Sequence, residues 1–209
     1  MKKSALCLCF LALTALPAAA NVLYSNGPVN GTLNALPICC GDAVEDSFTL
    51  SSASTLTSLT FYAWEFPGDT MSSVDWGVDT IPMTYGNPTT AATTQTYLFT
   101  NGYGYDIDQE TIALSGTYAP GTYYLFLANA VVSNGDTTWW DINNGPSTAY
   151  WDFYGDVAND PQIGTGSNSN SFEIDGNLAP AVPEPSSLLL LGSGLAGLVA
   201  RRMRRKVKA

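Results

Sequence analysis

Residues 121–129 read GTYYLFLAN, and this stretch decides the fold class. Its residues are apolar at both alternate positions, and its aromatic and leucine side chains do not recur at helical spacing. A short strand buried on both faces has this composition, so we predict a central strand of a β-sheet. Residues 56–64, LTSLTFYAW, alternate instead, with Leu59, Phe61 and Ala63 on one face. This second pattern is typical of a strand with one buried face.

Further strands are expected on either side of these two. They are predicted at 46–51, 73–79, 96–100, 107–114, 137–142, 149–154 and 171–175. Asn-Gly dipeptides, which favour tight turns, begin at Asn26, Asn30, Asn101, Asn134 and Asn144. About nine short strands within residues 21–178 predict an all-β ectodomain, an antiparallel β-sandwich of jelly-roll type.

The charge distribution excludes several classes of function. All eight basic residues lie at the two ends of the chain, and there is no His. Of the 18 acidic residues only Glu184 lies outside residues 21–180, so that stretch carries 17 carboxylates and no basic side chain. Nucleic-acid binding needs Lys or Arg to displace counterions from phosphate, and it is excluded here. Histidine-dependent triads, lysine Schiff bases and P-loops are excluded for the same reason.

Residues 1–20 have the order of a secretory signal peptide. Lys2 and Lys3 precede the apolar run 5–16, and small residues stand at Ala18 and Ala20. We predict cleavage between Ala20 and Asn21. The alternative is an uncleaved anchor, but the run is shorter than the ~20 residues that a spanning helix needs.

The C-terminal segment has three parts in a fixed order. Residues 179–187 form a Pro-rich stalk that contains Pro183, Glu184 and Pro185, and residues 188–209 hold a short apolar stretch followed by a basic tail. The fifteen residues 186–200 at ~1.5 Å each span only ~22 Å, so this short transmembrane helix would cross only with local thinning of the bilayer or snorkelling of the flanking arginines. The positive-inside rule places the tail in the cytoplasm and the ectodomain outside.

The sequence VPEPSSLLLLGSGLAGLVARRMRRK at 182–206 resembles the PEP-CTERM sorting signal of Gram-negative bacteria. The resemblance implies that the helix is held in the inner membrane in transit and that an exosortase processes the protein. Pro183, Glu184 and Pro185 would be the recognised motif. The expected destination is the cell surface or the exopolysaccharide matrix. A simple single-pass tail anchor is the alternative, and it has no need of the Pro-Glu-Pro motif.

The ectodomain is also similar to a recurring, uncharacterised group of PEP-CTERM proteins. The similarity is carried by segments such as DSFTLSS at 46–52, LTFYAWEFPGDT at 59–70 and WWDINNGPSTAYWD at 139–152. It implies no activity and supplies no catalytic residues.

Only two cysteines remain once the predicted signal is removed. Cys39 and Cys40 are adjacent, so they cannot link distant parts of the chain. The pattern leaves three states open: buried thiols, a strained ring between the two, or a bond to another molecule.

Calcium is the one cofactor that the sequence suggests, although none is required. Asp106, Asp108 and Glu110 alternate on a predicted strand, so their carboxylates point to one face and are expected to converge on a hard cation. The alternative is a solvated outer face of an edge strand, where acids discourage aggregation.

A glycan-binding surface is the second candidate site. The chain has five Trp and eleven Tyr residues, and Trp139 and Trp140 stand beside Asp136 and Asp141. On a strand one of the two Trp rings points inward and the other outward. Sugar sites combine an exposed ring with polar groups for the hydroxyls, whereas the alternative role of such rings is to fill the core.

These observations predict a non-catalytic surface or matrix protein that associates with exopolysaccharide. The alternative is a lectin-like carbohydrate-binding module assisted by calcium. No motif singles out a pair of carboxylates for glycoside hydrolysis, so we do not expect an enzyme.

Overall fold

The computed structural model describes residues 21–153, 169–179 and 192–195, with side-chain burial omitted for 152 and 153. The predicted signal peptide, the Pro-Glu-Pro motif and most of the predicted membrane segment lie outside this part. The chain divides into two units, residues 1–178 and 179–209, and every described strand lies in the first.

The described part of the first unit is built from β-strands whose pairings are all antiparallel, which confirms the predicted fold class. Each of the predicted strands overlaps an observed one. The strands are β1 Asn21–Ser25, β2 Ala35–Pro37, β3 Asp42–Leu50, β4 Ser54–Glu65, β5 Met71–Asp79, β6 Thr89–Ala92, β7 Thr94–Thr100, β8 Asp106–Ala113, β9 Thr117–Tyr118, β10 Gly121–Val132, β11 Trp139–Asn143, β12 Ala149–Phe153, β13 Ser169–Asn170 and β14 Phe172–Leu178.

The larger sheet is organised around the long strand β4. Along one edge of β4 lie β14 and then β11, and along the other lie β9 and then β8. Strand β1 extends the sheet beyond β14, β7 extends it beyond β8, and β2 and β13 pair with β11. The alternating sequence of β4 therefore lies at the centre of the sheet.

The second sheet has the order β12-β3-β10-β5-β6. Strand β10 lies at its centre, as its apolar sequence predicts. Leu125 and Leu127 enter the main core, whereas Phe126 and Ala128 lie on the opposite face in a smaller cluster with Tyr85. Residues 80–88, which connect β5 to β6, cover this second face, so residues 125–128 of β10 are buried on both faces.

The two sheets share one hydrophobic core, which makes the unit a β-sandwich. Inward residues of the larger sheet, such as Leu59 and Phe61, belong to the same buried cluster as Val44 and Leu125 of the smaller sheet. The largest fully buried side chains are Trp140, Phe48, Phe61, Phe126 and Phe172.

Sequence patterns miss five strands, and each has little of the strand signal. Strand β6 is TTAA and β13 is Ser-Asn, so neither presents an apolar face. Strands β2 and β9 contain three and two residues, and β1 begins at the predicted cleavage position. Their pairing depends on long-range neighbours that no local pattern records.

The adjacent cysteines occupy the tight turn between β2 and β3. The Asp42 amide donates to the Cys39 carbonyl oxygen at 2.9 Å, and both Cys40 and Gly41 have positive φ, as a type I′ turn requires. The structure joins Cys39 to Cys40 in a disulfide, so of the three states left open by the sequence it has the ring between the two neighbours. Cys39 is buried in the core.

Residues 192–195 are helical and lie in the predicted membrane segment. Within the described ranges no helix has the length and apolar character needed to cross a bilayer.

Candidate functional site

Four aromatic side chains, Phe66, Tyr103, Tyr105 and Trp139, form a cluster that we call the aromatic surface. The Tyr105 and Trp139 ring centroids are 5.3 Å apart, and Phe66 lies 5.3 Å from Tyr105 and 5.8 Å from Trp139. Trp64 is buried beneath them and stacks on Tyr103 at 5.8 Å. One cluster therefore combines a buried aromatic base with rings open to solvent.

Strand pairing and two tight turns position these rings. Trp139 opens β11 and lies opposite Trp64 of β4, so both project from the outer face of the larger sheet. Phe66 begins a turn in which its carbonyl oxygen accepts the Asp69 amide at 3.0 Å. Backbone hydrogen bonds close this turn and also the second turn, at residues 101–105, so the aromatic side chains that the two turns carry have fixed directions.

The loop that carries the two tyrosines is organised by Asn101. Its side-chain oxygen accepts the backbone amides of Tyr103 and Tyr105 at 2.9 and 3.1 Å, and its backbone N–H donates to the Tyr105 carbonyl oxygen at 2.8 Å. Asn101 is buried, whereas Tyr103 is 67% exposed. The loop is thus held in one conformation that presents a Tyr ring to solvent.

The aromatic surface has the chemistry of a sugar platform. Phe66 is 40% exposed, and Tyr105 and Trp139 are half-buried. Rigid rings with an open face take the apolar face of a pyranose, and nearby hydroxyl and carboxylate groups bind its hydroxyls. Tyr103 and Tyr105 carry hydroxyls themselves.

The predicted glycan-binding set is corrected by burial. Trp140 and Asp141 are both fully buried, so neither reaches a ligand. Trp140 points into the core, where its ring packs edge-on against Phe61 and Phe172. The expectation that one ring of the Trp pair points inward is right, and Trp139 is the ring that faces outward.

Asp141 lies on the same face as Trp139 but is covered by residues 26–34. Its carboxylate accepts the backbone amides of Asn30 and Gly31 at 2.8 Å each, the Trp64 indole N–H at 2.7 Å and the Ser171 hydroxyl at 2.9 Å. Burial raises the pKa of Asp141, and these hydrogen bonds oppose the rise. Asp141 is a structural anchor for the covering segment.

Asp136 is the remaining member of the predicted set. It is exposed in the connection between β10 and β11, three residues before Trp139 in sequence. Its carboxylate is therefore accessible, unlike that of Asp141.

The predicted calcium ligands do share one face, but this face points into the sandwich. Asp108 and Glu110 lie opposite the core residues Ala63 and Phe61 of β4 and are 1% and 0% exposed. The alternative of a solvated outer face is therefore wrong for both. Glu65, at the end of β4, is also fully buried.

The pKa values of these buried acids are raised, and residues 21–180 contain no basic side chain that could pair with them and oppose the rise. Burial, with the neighbouring carboxylates, raises the pKa of Glu65 to about 7 and that of Glu110 to about 9. Among the described residues neither Glu110 oxygen has a hydrogen-bond partner, although the Thr93 hydroxyl lies near enough to oppose the rise. Burial raises the pKa of Asp108 as well. Burial thus shifts all three groups towards the neutral carboxyl form, and the pKa of Glu110 rises further than that of Glu65.

The proposed calcium triad does not form in the structure. Within the part of the chain that the structure describes, no three acidic or Cys side chains are arranged to hold a metal ion. Alternate residues of a strand are ~6.6 Å apart, so three carboxylates spread along β8 rather than converge. Asp106 is also engaged, by the Gly68 amide at 3.3 Å and the Thr100 hydroxyl at 2.7 Å.

A pocket of about 200 Å³ lies between residues 26–30 and 143–145. Its amide side chains serve the fold: Asn143 donates to the carbonyl oxygens of Asn26 and Pro28, and accepts from Ser169 and Gly145. The pocket therefore offers few free groups to a ligand.

Sequence reasoning missed Phe66, Tyr103 and Tyr105. The signal available was the Asn-Gly-Tyr-Gly-Tyr stretch at 101–105, a turn that must present its two Tyr rings. Their meeting with Trp139 depends on β8 and β11 lying along opposite edges of β4, which sequence spacing does not reveal.

Comparison with known proteins identifies the C-terminal segment. Residues 181–205 match the PEP-CTERM protein-sorting motif, and the search of curated proteins finds no match. The class defined by fold and motif is an exported β-sandwich protein. The chain carries a PEP-CTERM protein-sorting motif, which supports an exported protein that is sorted by exosortase and anchored in the membrane in transit.

Proposed function

We propose that this protein is a non-catalytic surface or extracellular-matrix protein that associates with exopolysaccharide through its aromatic surface. The observation that carries the proposal is the cluster of Phe66, Tyr103, Tyr105 and Trp139. The Trp139 ring centroid lies 5.8 Å from that of Phe66 and 5.3 Å from that of Tyr105. The sorting motif supports it because such a protein is exported.

The rigidity of the cluster supports a lectin-like module over a purely structural role. If the cluster served packing alone, we would not expect Tyr103, which stacks on the buried Trp64, to be 67% exposed. Asn101 and the strand register fix the rings before any ligand arrives, so little conformational entropy is lost on binding.

The charge of the ectodomain specifies the kind of polysaccharide. Residues 21–180 carry 17 carboxylates and no basic side chain. A polymer of uronic acids is therefore repelled, and it finds no Lys or Arg with which to pair. We propose a neutral polysaccharide as the ligand.

Affinity electrophoresis in gels that contain a neutral or a carboxylated polysaccharide tests this function. The fragment 21–179 contains all described strands and the complete core, so it is a suitable sample. Retardation is expected in neutral gels only. Trp139→Ala should weaken it by about tenfold or more, as expected for an aromatic anchor.

The control is Tyr124→Ala, which removes a half-buried ring from the other sheet. It should leave retardation unchanged. Equal retardation of Trp139→Ala and wild type would refute the aromatic surface as the contact. Absence of retardation in a full panel of neutral gels would refute glycan binding.

We also propose that Pro183, Glu184 and Pro185 are what the exosortase recognises and that the processed protein ends at the surface or in the matrix. Replacement of all three by Ala should leave an unprocessed precursor in the inner membrane. Pro180→Ala, just outside the matched residues, is the control. Normal processing of the triple variant would show that the enzyme reads another feature.

A further inference from the structure

Strand β7 is an open edge of the larger sheet. In the described ranges it pairs with β8 alone. Six of its seven residues are exposed, and Tyr97, Leu98 and Phe99 are 56%, 36% and 39% exposed. Among the described strands none pairs with its outer row of backbone N–H and C=O groups, which is therefore available to a strand of another molecule.

This edge lacks the usual chemical protection against pairing. Residues 89–105 contain no Asp, Glu, Lys, Arg or Pro. Natural edge strands are commonly guarded by charges, by Pro or by bulges. Strand β7 has only a bulge between Tyr97 and Phe99, which leaves Thr94–Tyr97 regular.

The charge of the molecule indicates what covers this edge. Two copies of a domain with 17 carboxylates and no bases repel each other over most of their surfaces. The uncharged stretch is where they approach without like-charge contact. A second copy meets the edge with the same uncharged residues.

We propose that β7 is a self-association edge at which two copies of this chain pair as antiparallel strands. A twofold axis at Thr96 places Thr96 opposite Thr96 of the second copy and Gln95 opposite its Tyr97, so that paired side chains lie on the same face of the sheet. Such an isologous contact joins the two larger sheets into one continuous sheet. It lies outside the aromatic surface and does not depend on glycan binding.

Sedimentation velocity of the fragment 21–179 over a range of about 1 µM to 1 mM tests the proposal. A concentration-dependent dimer is expected. Raising the salt should strengthen it because screening weakens the repulsion between the acidic surfaces. A monomer throughout this range at high salt would overturn the proposal.

Thr96→Glu places two like charges at the twofold axis and is expected to leave only monomer. Thr122→Glu makes the same change on an exposed residue of the central strand β10 and should dimerise as wild type does. Thr94→Glu is the second edge variant should Thr96→Glu fail to fold. Dimerisation of both folded edge variants at the wild-type concentration would overturn the assignment to β7.

Hydrogen exchange of the wild-type fragment provides an independent readout. Amides within residues 94–97 should become protected as the concentration rises through the dimerisation range. Protection confined to other strands would show that the contact lies elsewhere and would overturn the proposal.

Discussion

At the scale of single residues, the position of Asp141 explains how a covering segment is fixed over an outer sheet face. The carboxylate accepts the half-buried Asn30 amide and three buried donors, the Gly31 amide, the Trp64 indole N–H and the Ser171 hydroxyl, so four donors depend on one side chain. Trp64 in turn supports Tyr103. Asp141 thus influences the aromatic surface without touching a ligand.

We therefore expect Asp141→Ala to lower the free energy of unfolding by about 3 kcal/mol or more, since each buried donor left unpaired costs roughly 1–3 kcal/mol. Urea denaturation measures this. The matched control is Asp136→Ala, an exposed acid, which should stay within about 0.5 kcal/mol of wild type. Equal loss in the two variants would argue against the anchor.

The buried acids make stability depend on pH. The folded pKa values of Glu65 and Glu110, about 7 and about 9, lie above the unfolded value of 4.5. The folded state therefore binds more protons than the unfolded state between these values. This contribution is fully present below the unfolded pKa and is lost as the pH rises through the folded pKa.

We expect the melting temperature to fall between pH 5 and pH 9. Glu110→Gln removes one titrating group at nearly constant shape, so this variant should be more stable than wild type at pH 9 and should lose less stability over the range. Melting curves of both proteins at the two pH values provide the measurement. A variant that loses as much stability over this range as wild type does would mean that Glu110 does not contribute to the pH dependence.

At the scale of elements, close backbone approach fixes how β14 joins β4. A Cβ added at Gly176 would lie 2.2 Å from the Thr55 carbonyl oxygen, beside the register shift between Asp175 and Gly176. The Thr55 carbonyl group is part of the paired backbone of β4, so it cannot move aside as a flexible side chain can. The sheet therefore needs glycine at this point.

Gly176→Ala is expected to destabilise the fold by roughly 2 kcal/mol or more, through strain in the ladder. Gly102→Ala is the control because its added Cβ meets nothing within 4 Å. Chemical denaturation of the two variants compares them. A loss at Gly176 no larger than at Gly102 would contradict the close approach.

Sequence alone predicts the elements whose own side chains carry the signal. The alternation in β4 and the doubly apolar β10 locate the two central strands. Glu110 shows the limit: its alternation with Asp106 and Asp108 predicts a shared face but not whether that face points into the core. Trp139 shows the same limit, because its ring partners come from a loop and a turn distant in sequence.

At the scale of the whole molecule, two features stand out: the acidic charge of the ectodomain and the sorting motif that follows it. The ectodomain carries 17 carboxylates without a basic residue, and the sorting motif follows it at residues 181–205. We propose that this acidity keeps copies apart except at uncharged surfaces and selects against acidic polymers. We propose that an exported domain of this kind contacts a neutral matrix through its aromatic rings rather than through ion pairs.

The most direct test of this account is co-sedimentation of the fragment 21–179 with exopolysaccharide from the producing cells. We predict saturable binding that EDTA leaves unchanged and that a Trp139→Ala, Tyr105→Ala double variant loses. Failure of the wild-type fragment to sediment, or equal sedimentation of the double variant, would contradict the central claim that the aromatic surface holds this exported protein to polysaccharide.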